Sequence, residues 1–336
     1  MKKIKVGING FGRIGRQILR NIIENYDNYI EIVSINDLGD INTNAHLFKY
    51  DSTYGSIKNK VFVDNNNLII DNKKIEFTNE NNPKNIVWSR LGAEIIIEST
   101  GVFTDAKQAS GHLKNGASKV IISAPATNED ITIVMGVNQE NYDSKKHTII
   151  SNASCTTNCV ALMVKILHEN FGVEKALMST IHAYTNDQNT LDQNHSDLRR
   201  ARSANTNIIP TTTGAAKAVT QVIPELSGRI DGMAYRVPVI TGSVTDLTVK
   251  LSKKTTAKKI NEAYHIASNK NYKGLLDISM EPLVSSDYIR SNYSCIIDGL
   301  STKDLGNDFV KVVGWYDNEW GYANRLIDLI LHISHN

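Results

Sequence analysis

Two rhythms of apolar residues alternate along the first half of the chain. "IKVGI" is a short unbroken apolar run, a glycine turn follows it, "RIGRQILRNIIENY" repeats its apolar positions at helical spacing, and "IEIVSIND" is a second strand-like run. The pattern predicts a strand, turn, helix, strand unit. Further runs, "AEIIIES", "KVIIS" and "TIIS", recur after loops and helix-like stretches without polar alternation. Unalternating runs of this kind suit parallel strands covered on both faces. The Asn-rich stretch "VFVDNNNLIIDNKKIEF" predicts short strands joined by turns, an antiparallel excursion from that sheet.

After residue 155 the strand-like pieces lengthen: "KALMSTIHAYT", "GMAYRVPVITGSVTDLTVKL" and "DFVKVVGWYD" point to a mixed or antiparallel sheet. The closing segment "NRLIDLILHIS" is apolar at helical spacing and is expected to return to the first domain. A chain of 336 residues exceeds one ordinary domain, so two are expected, each with its own core. The expected division is residues 1–153 with 318–336 in one domain and 154–317 in the other. The second is an α+β domain.

Charge and composition remove several functions. With 37 basic and 35 acidic residues the net charge is +2, which gives no electrostatic reason to expect a nucleic-acid or membrane partner. Three cysteines cannot build a disulfide framework, and their odd number leaves at least one free thiol, as suits a reducing cytoplasm. The N-terminal "MKKIKVGINGFG" lacks an apolar signal core, and no later run reaches the length of a membrane span.

The first candidate chemistry lies in the glycine turn. Gly10, Gly12 and Gly15 form G-x-G-x-x-G directly after a strand and at the start of a helix, where backbone N–H groups can approach a pyrophosphate. Asp37 ends the next strand about 22 residues after Gly15, close to the spacing of a ribose-binding carboxylate. Strand, helix and acid together indicate dinucleotide binding on a Rossmann-type doubly wound α/β sheet. The second lies in "SNASCTTNC", between a strand-like run and a helical one. Cys155 there is expected at a helix start, where unpaired amides and the helix dipole favour the thiolate. Cys159 and Cys295 are expected to be buried small residues, and no Cys/His cluster has metal-ligand spacing. Of nine histidines, His182 ends a strand-like run before a polar loop and is the candidate partner of Cys155, whereas His147, His168 and His265 read as ordinary. Thr185, "LRRARS", Thr213 and Gly214 at a helix start, and Arg236 supply hydroxyls, amides and guanidinium groups suited to phosphate.

The stretches "GINGFGRIGR", "ESTGVFT", "SNASCTTNC", "HAYTNDQ", "LRRAR", "PTTTGAAKAV" and "WYDNEWGY", in that order, span the chain from end to end. In them it resembles the phosphorylating glyceraldehyde-3-phosphate dehydrogenases. The resemblance implies that Cys155 is the nucleophile and His182 its partner. Thr185 and Arg236 would hold the substrate phosphate, and Ser154, Thr156, Arg200, Thr213 and Gly214 the attacking inorganic phosphate. Arg13, Ile14, Asp37 and Ser123 match NAD contacts, and Asn318 matches the residue that fixes the nicotinamide amide. It also implies glyceraldehyde 3-phosphate as substrate and a homotetramer in which the loop of residues 184–207 reaches toward a neighbour's cofactor site. Two departures stand out: "ENNP" puts Asn81 where family members often carry an arginine, and Gln193 and Asn194 replace a Leu-Pro pair of many bacterial relatives. Erythrose-4-phosphate dehydrogenase is the alternative enzyme. A nucleotide-binding scaffold without turnover is the alternative of another class, and intact Cys155, His182, Thr185 and Arg236 argue against it.

Overall fold

The opening run forms β1 (Ile4–Asn9), the glycine turn leads into α1 (Arg13–Asn21), and the second run forms β2 (Ile30–Asn36). Residues 2–335 are described by this computed structural model. The Asn-rich stretch gives β3 (Val61–Asp64), β4 (Asn67–Ile70) and β5 (Lys73–Thr78). The three later apolar runs become β6 (Ile95–Glu98), β7 (Lys119–Ile122) and β9 (Ile149–Ser151), with the two-residue β8 (Ile131–Thr132) beside the last. These build a nine-stranded sheet in the order β8-β9-β7-β6-β1-β2-β5-β4-β3. The excursion departs from the expectation in one respect. β3–β4 and β4–β5 pair antiparallel, but β5 then joins β2 in parallel and so belongs to the main sheet. Residues of β6 and β7, among them Ile96, Val120 and Ile122, are fully buried together with Trp88 in a core cluster of this unit.

The second unit begins with α2 (Cys155–Phe171) and carries β10 (Val173–Ala183), β11 (Ile209–Thr211), α3 (Ala215–Val222), β12 (Ile230–Val237) and β13 (Ser243–Leu251). It continues with α4 (Ala257–Asn269), β14 (Leu276–Ser279), β15 (Cys295–Asp298), β16 (Lys303–Leu305) and β17 (Phe309–Tyr316). The sheet order is β11-β12-β10-β13-β17-β15-β14, with β16 paired to β17. It is mixed: β10 runs parallel to β12 and antiparallel to β13. Along β10 Ala176, Met178, Thr180 and His182 are buried while Leu177 is exposed, the period-two signature of one covered face.

By contact, one unit comprises Met1–Ile133, Glu140–Ala153 and Ala323–Asn336, and the other Val134–Gln139 and Ser154–Tyr322. The second unit thus takes residues 134–139 and 318–322, which the sequence pattern assigned to the first domain. Side-chain bonds tie these residues to the second unit: Lys165 Nζ donates to the Val137 carbonyl at 2.7 Å, and Asn318 Oδ1 accepts from Ser243 Oγ at 2.8 Å and Thr241 Oγ1 at 3.3 Å. Among the described residues no helix is long and apolar enough to cross a membrane, and no group of three or more metal-ligating side chains is assembled.

Candidate active site

Cys155 is the first residue of α2, and Ser154 is its N-cap, the Ser154 hydroxyl accepting from the Thr157 amide at 3.0 Å. The residue before the cap, Ala153, holds φ at +53°, a left-handed conformation that a side chain disfavours. Opposite the thiol, β10 and β12 align His182 with Arg236 in register, so both side chains leave the same face of neighbouring parallel strands. His182 Nε2 lies 3.4 Å from Cys155 Sγ. Its Nδ1 lies 2.6 Å from the Ala183 carbonyl, and the tautomer that donates there leaves the Nε2 lone pair facing the sulfur. Arg236 Nη1 sits 2.7 Å from the same Nδ1 and donates to the Ala183 carbonyl at 3.1 Å.

The electrostatics correct the thiolate expectation. Burial pushes the Cys155 thiol up, outweighing the Arg236 charge and the amides of the first helical turn. Burial, and then the Arg236 cation, push the His182 imidazole down. Both shifts run toward a thiol facing a neutral imidazole, desolvation around the half-buried Cys155 opposing what a helix terminus supplies. Such a pair reaches thiolate by transferring its proton to Nε2. Arg236 Nε is buried with no hydrogen-bond partner among the described residues, a donor that an anion would satisfy.

The remaining anion candidates divide. Thr185 is half-buried and held by Gln188, whose Oε1 accepts from its amide at 2.8 Å and its hydroxyl at 3.2 Å. Thr213 Oγ1 accepts from the Ala215 amide at 3.2 Å, and Gly214, the N-cap of α3, is exposed with open space where a Cβ would stand. Arg200 is already engaged: Nε donates to Thr211 Oγ1 at 2.8 Å, Nη1 to Asp187, and Nη2 to the Thr212 carbonyl at 3.2 Å. Thr156 turns its hydroxyl inward to Tyr316 Oη at 2.9 Å, so what it offers an anion is its backbone amide. Tyr316, which also meets Thr180 Oγ1 at 2.8 Å and stands edge-on to the His182 ring, was not singled out by sequence, nor were Gln188 and Asp187. The alternation of β17 puts Tyr316 on its buried face, a signal that was available; the partners of its hydroxyl were not.

In the first unit the residues present fit a dinucleotide. Gly10 holds φ at +93°, and a Cβ on Gly15 would stand 2.3 Å from the Gly10 carbonyl, so turn and helix meet at backbone contact. Gly12 caps α1 without a side-chain cap bond and has open space where a Cβ would stand. Asp37 accepts from the Phe11 amide at 2.7 Å and the Gly39 amide at 2.7 Å, which orients its carboxylate beside the turn. Arg13 donates to Asp51 at 2.6 Å. Ser123 follows β7, its amide bonded to the Glu98 carbonyl at 2.9 Å. In the second unit Asn318 is buried, its Oδ1 committed to Ser243 and Thr241. Asn81, Gln193 and Asn194, the departures, are all exposed.

Comparison with known proteins adds a family. The model described as "Glyceraldehyde 3-phosphate dehydrogenase, NAD binding domain" matches residues 4–106, and "Glyceraldehyde 3-phosphate dehydrogenase, C-terminal domain" matches residues 154–318. The chain is 55% identical over 331 residues to the glyceraldehyde-3-phosphate dehydrogenase of Geobacillus stearothermophilus, covering 98% of each chain. It is 53% identical to glyceraldehyde-3-phosphate dehydrogenase 2 of Streptomyces avermitilis and 51% identical to glyceraldehyde-3-phosphate dehydrogenase 1 of Bacillus subtilis, again over 98% of each chain.

Proposed function

We propose, from the premise that the chain belongs to the glyceraldehyde 3-phosphate dehydrogenase family, that it oxidises glyceraldehyde 3-phosphate with NAD and inorganic phosphate to 1,3-bisphosphoglycerate. The observation that carries the reading is Cys155 Sγ, 3.4 Å from His182 Nε2, with Arg236 against the same imidazole. Thr185 and Arg236 bind the substrate phosphate, and the buried Nε of Arg236 gains its acceptor there. His182 takes the Cys155 proton as sulfur adds to the aldehyde carbon and returns it to the oxygen as the carbonyl π bond breaks, giving a hemithioacetal and a neutral imidazole. Bound NAD supplies the hydride acceptor. As the C–H bond of the hemithioacetal breaks, His182 takes the hydroxyl proton and a thioester remains on Cys155. Inorganic phosphate, received by the Thr156 amide, Thr213 and Gly214 with Ser154 and Arg200 nearby in the family pattern, attacks the thioester and releases the Cys155 thiolate. The Cys155 amide stabilises the oxyanion of that step.

Gly10, Gly12, Arg13, Ile14, Gly15, Asp37 and Ser123 hold the dinucleotide, and Asn318, its amide oxygen already fixed, takes the carboxamide role. The domain assignment follows these roles: nucleotide binding in the first unit and thiol chemistry in the second. We place the chain in the cytoplasm as a homotetramer. The deciding experiment follows NAD reduction with glyceraldehyde 3-phosphate, with and without inorganic phosphate, beside erythrose 4-phosphate. The expected result is phosphate-dependent turnover with higher kcat/KM for the three-carbon substrate. A higher value for erythrose 4-phosphate overturns the substrate assignment, and no turnover with either overturns the activity.

A further inference from the structure

Four neighbouring strands of the first sheet end on polar side chains: Glu98 on β6, Asn9 on β1, Asn36 on β2 and Thr78 on β5. They are register partners, Glu98 with Asn9, Asn9 with Asn36, and Asn36 with Thr78. Their side chains bond in series. Asn9 Nδ2 donates to Glu98 Oε2 at 2.5 Å, Asn36 Nδ2 to Asn9 Oδ1 at 2.8 Å, and Thr78 Oγ1 to Asn36 Oδ1 at 2.8 Å. Asn9, Asn36 and Glu98 are buried, so the two bonds among them are made away from competing water.

The direction of the series is set at one end. Trp88 Nε1–H donates to His112 Nδ1 at 3.0 Å, and an indole can only donate, so the proton of this imidazole sits on Nε2. That Nε2–H donates to Glu98 Oε2 at 2.9 Å. Glu98 Oε2 accepts from this N–H and from Asn9, so Asn9 turns its NH2 toward Glu98 and its oxygen toward Asn36, and Asn36 follows in the same sense.

The loops leaving these strand ends bond to the ladder residues and to one another. Glu98 Oε1 accepts from the Thr100 amide at 2.9 Å and from its hydroxyl, and Ser99 Oγ donates to the Gly10 carbonyl at 2.7 Å. The Gly10 amide donates to the Asn36 carbonyl at 2.8 Å, the Asp37 amide to the Thr78 carbonyl at 3.1 Å, and the Glu80 amide to Asn36 Oδ1 at 2.8 Å. The carboxyl ends of parallel strands are where open α/β sheets receive nucleotides.

We propose that the Glu98–Asn9–Asn36–Thr78 ladder is the positioning element of the dinucleotide site. It spaces the Gly10 turn, Asp37 and the loop at Ser99 before the ligand arrives, so that NAD meets a preformed floor. The proposal rests on the dinucleotide reading above. These four are positioning residues, and the effect of breaking the ladder falls on NAD affinity and on KM for NAD rather than on kcat.

The test titrates NAD calorimetrically into the full-length protein and its variants, with kcat, KM and thermal unfolding measured in parallel. Glu98→Gln turns an amide NH2 against Asn9 Nδ2 and the His112 N–H, and NAD affinity falls roughly tenfold, within the range for residues coupled in one network. Asn9→Asp alone sets two carboxylates together and falls similarly. Asn9→Asp with Glu98→Gln restores a donor and an acceptor between those two residues, leaves the clash with the His112 N–H, and recovers part of the affinity, to a value above either single variant. Thr78→Val, at the half-buried end, removes only the last bond and keeps the test open if the core variants do not fold; its NAD affinity falls about twofold to fivefold. Unchanged affinity in Thr78→Val and Glu98→Gln, or a double variant no better than the singles, overturns the ladder. A wild-type protein that does not bind NAD overturns the dinucleotide reading itself.

Discussion

Cys155 and Cys159 stand one helical turn apart, and their surroundings separate them. Cys159 is fully buried, 3.8 Å from Met163 Sδ and 3.8 Å from the Gly314 carbonyl, and Cys295 is fully buried as well. Iodoacetamide should therefore label Cys155 first, Cys155→Ser should abolish turnover, and Cys159→Ser should keep the chemistry; peptide mapping and the NAD assay check all three. His182→Asn removes the proton acceptor at Nε2 and should slow that labelling as well as turnover. Arg236 acts on the same pair. Arg236→Leu should cost about 1.5–3 kcal/mol in kcat/KM for the phosphorylated substrate and little for glyceraldehyde itself. The sign of its pH effect is fixed: the cation lowers the His182 pKa, so its loss raises it. The base must be neutral, so the acid limb of kcat/KM moves to higher pH. A limb that stays in place would mean that Arg236 does not act on the imidazole.

At the scale of elements, α1 is tied to the segment after residue 50 by one carboxylate. Asp51, buried, accepts from Arg13 at 2.6 Å, from Gln17 at 2.9 Å, and from the amides of Thr53 at 2.8 Å and Tyr54 at 3.0 Å. Burial alone would raise its pKa, but the Tyr54 amide, Arg13 and the Thr53 amide together hold it below the usual value. A carboxylate lowered in this way stabilises the fold above its unfolded pKa, and the contribution is lost as pH falls through the lower folded value. Asp51→Asn should cost about 1.5–3 kcal/mol in urea unfolding at neutral pH. The gap from wild type should close below about pH 4. Gly15→Ala is a second test at this scale: its Cβ would meet the Gly10 carbonyl, so the helix must shift from the turn and NAD affinity should fall. Most elements were legible because their apolar rhythm is local. The parallel pairing of β5 with β2 was not, since strand direction is decided by a partner many residues away.

The whole molecule raises two questions, cofactor choice and assembly. Asp37 is held beside the turn by two amides, and Leu38, 64% exposed, offers no charge to a 2′-phosphate. Repulsion between that phosphate and the carboxylate should make kcat/KM higher with NAD than with NADP, and Asp37→Ala should weaken NAD use and narrow the ratio. Exposed Gln193 and Asn194 are uncharged and give a 2′-phosphate less than an arginine would. For assembly, the outer face of the second sheet carries Leu177, 67% exposed, and Phe309, 45% exposed. Sedimentation should give the mass of four 37.3 kDa chains, and Leu177→Asp should lower it. A monomer at micromolar wild-type protein would remove the tetramer.

Some of this protein is local in origin. The glycine turn after a strand, an acid at the end of the next strand, and a cysteine at a helix start can each be read from neighbours in sequence, because backbone geometry and capping act over a few residues. Their order along the chain also carries the family resemblance. Tertiary structure decided what those groups meet. His182 and Arg236 are 54 residues apart and touch only because β10 and β12 pair in one register. Residues 9, 36, 78 and 98 become a ladder only when four strand ends align. The state of Cys155 reverses the local expectation for the same reason: a helix terminus is a local field, whereas desolvation depends on every element packed around the sulfur.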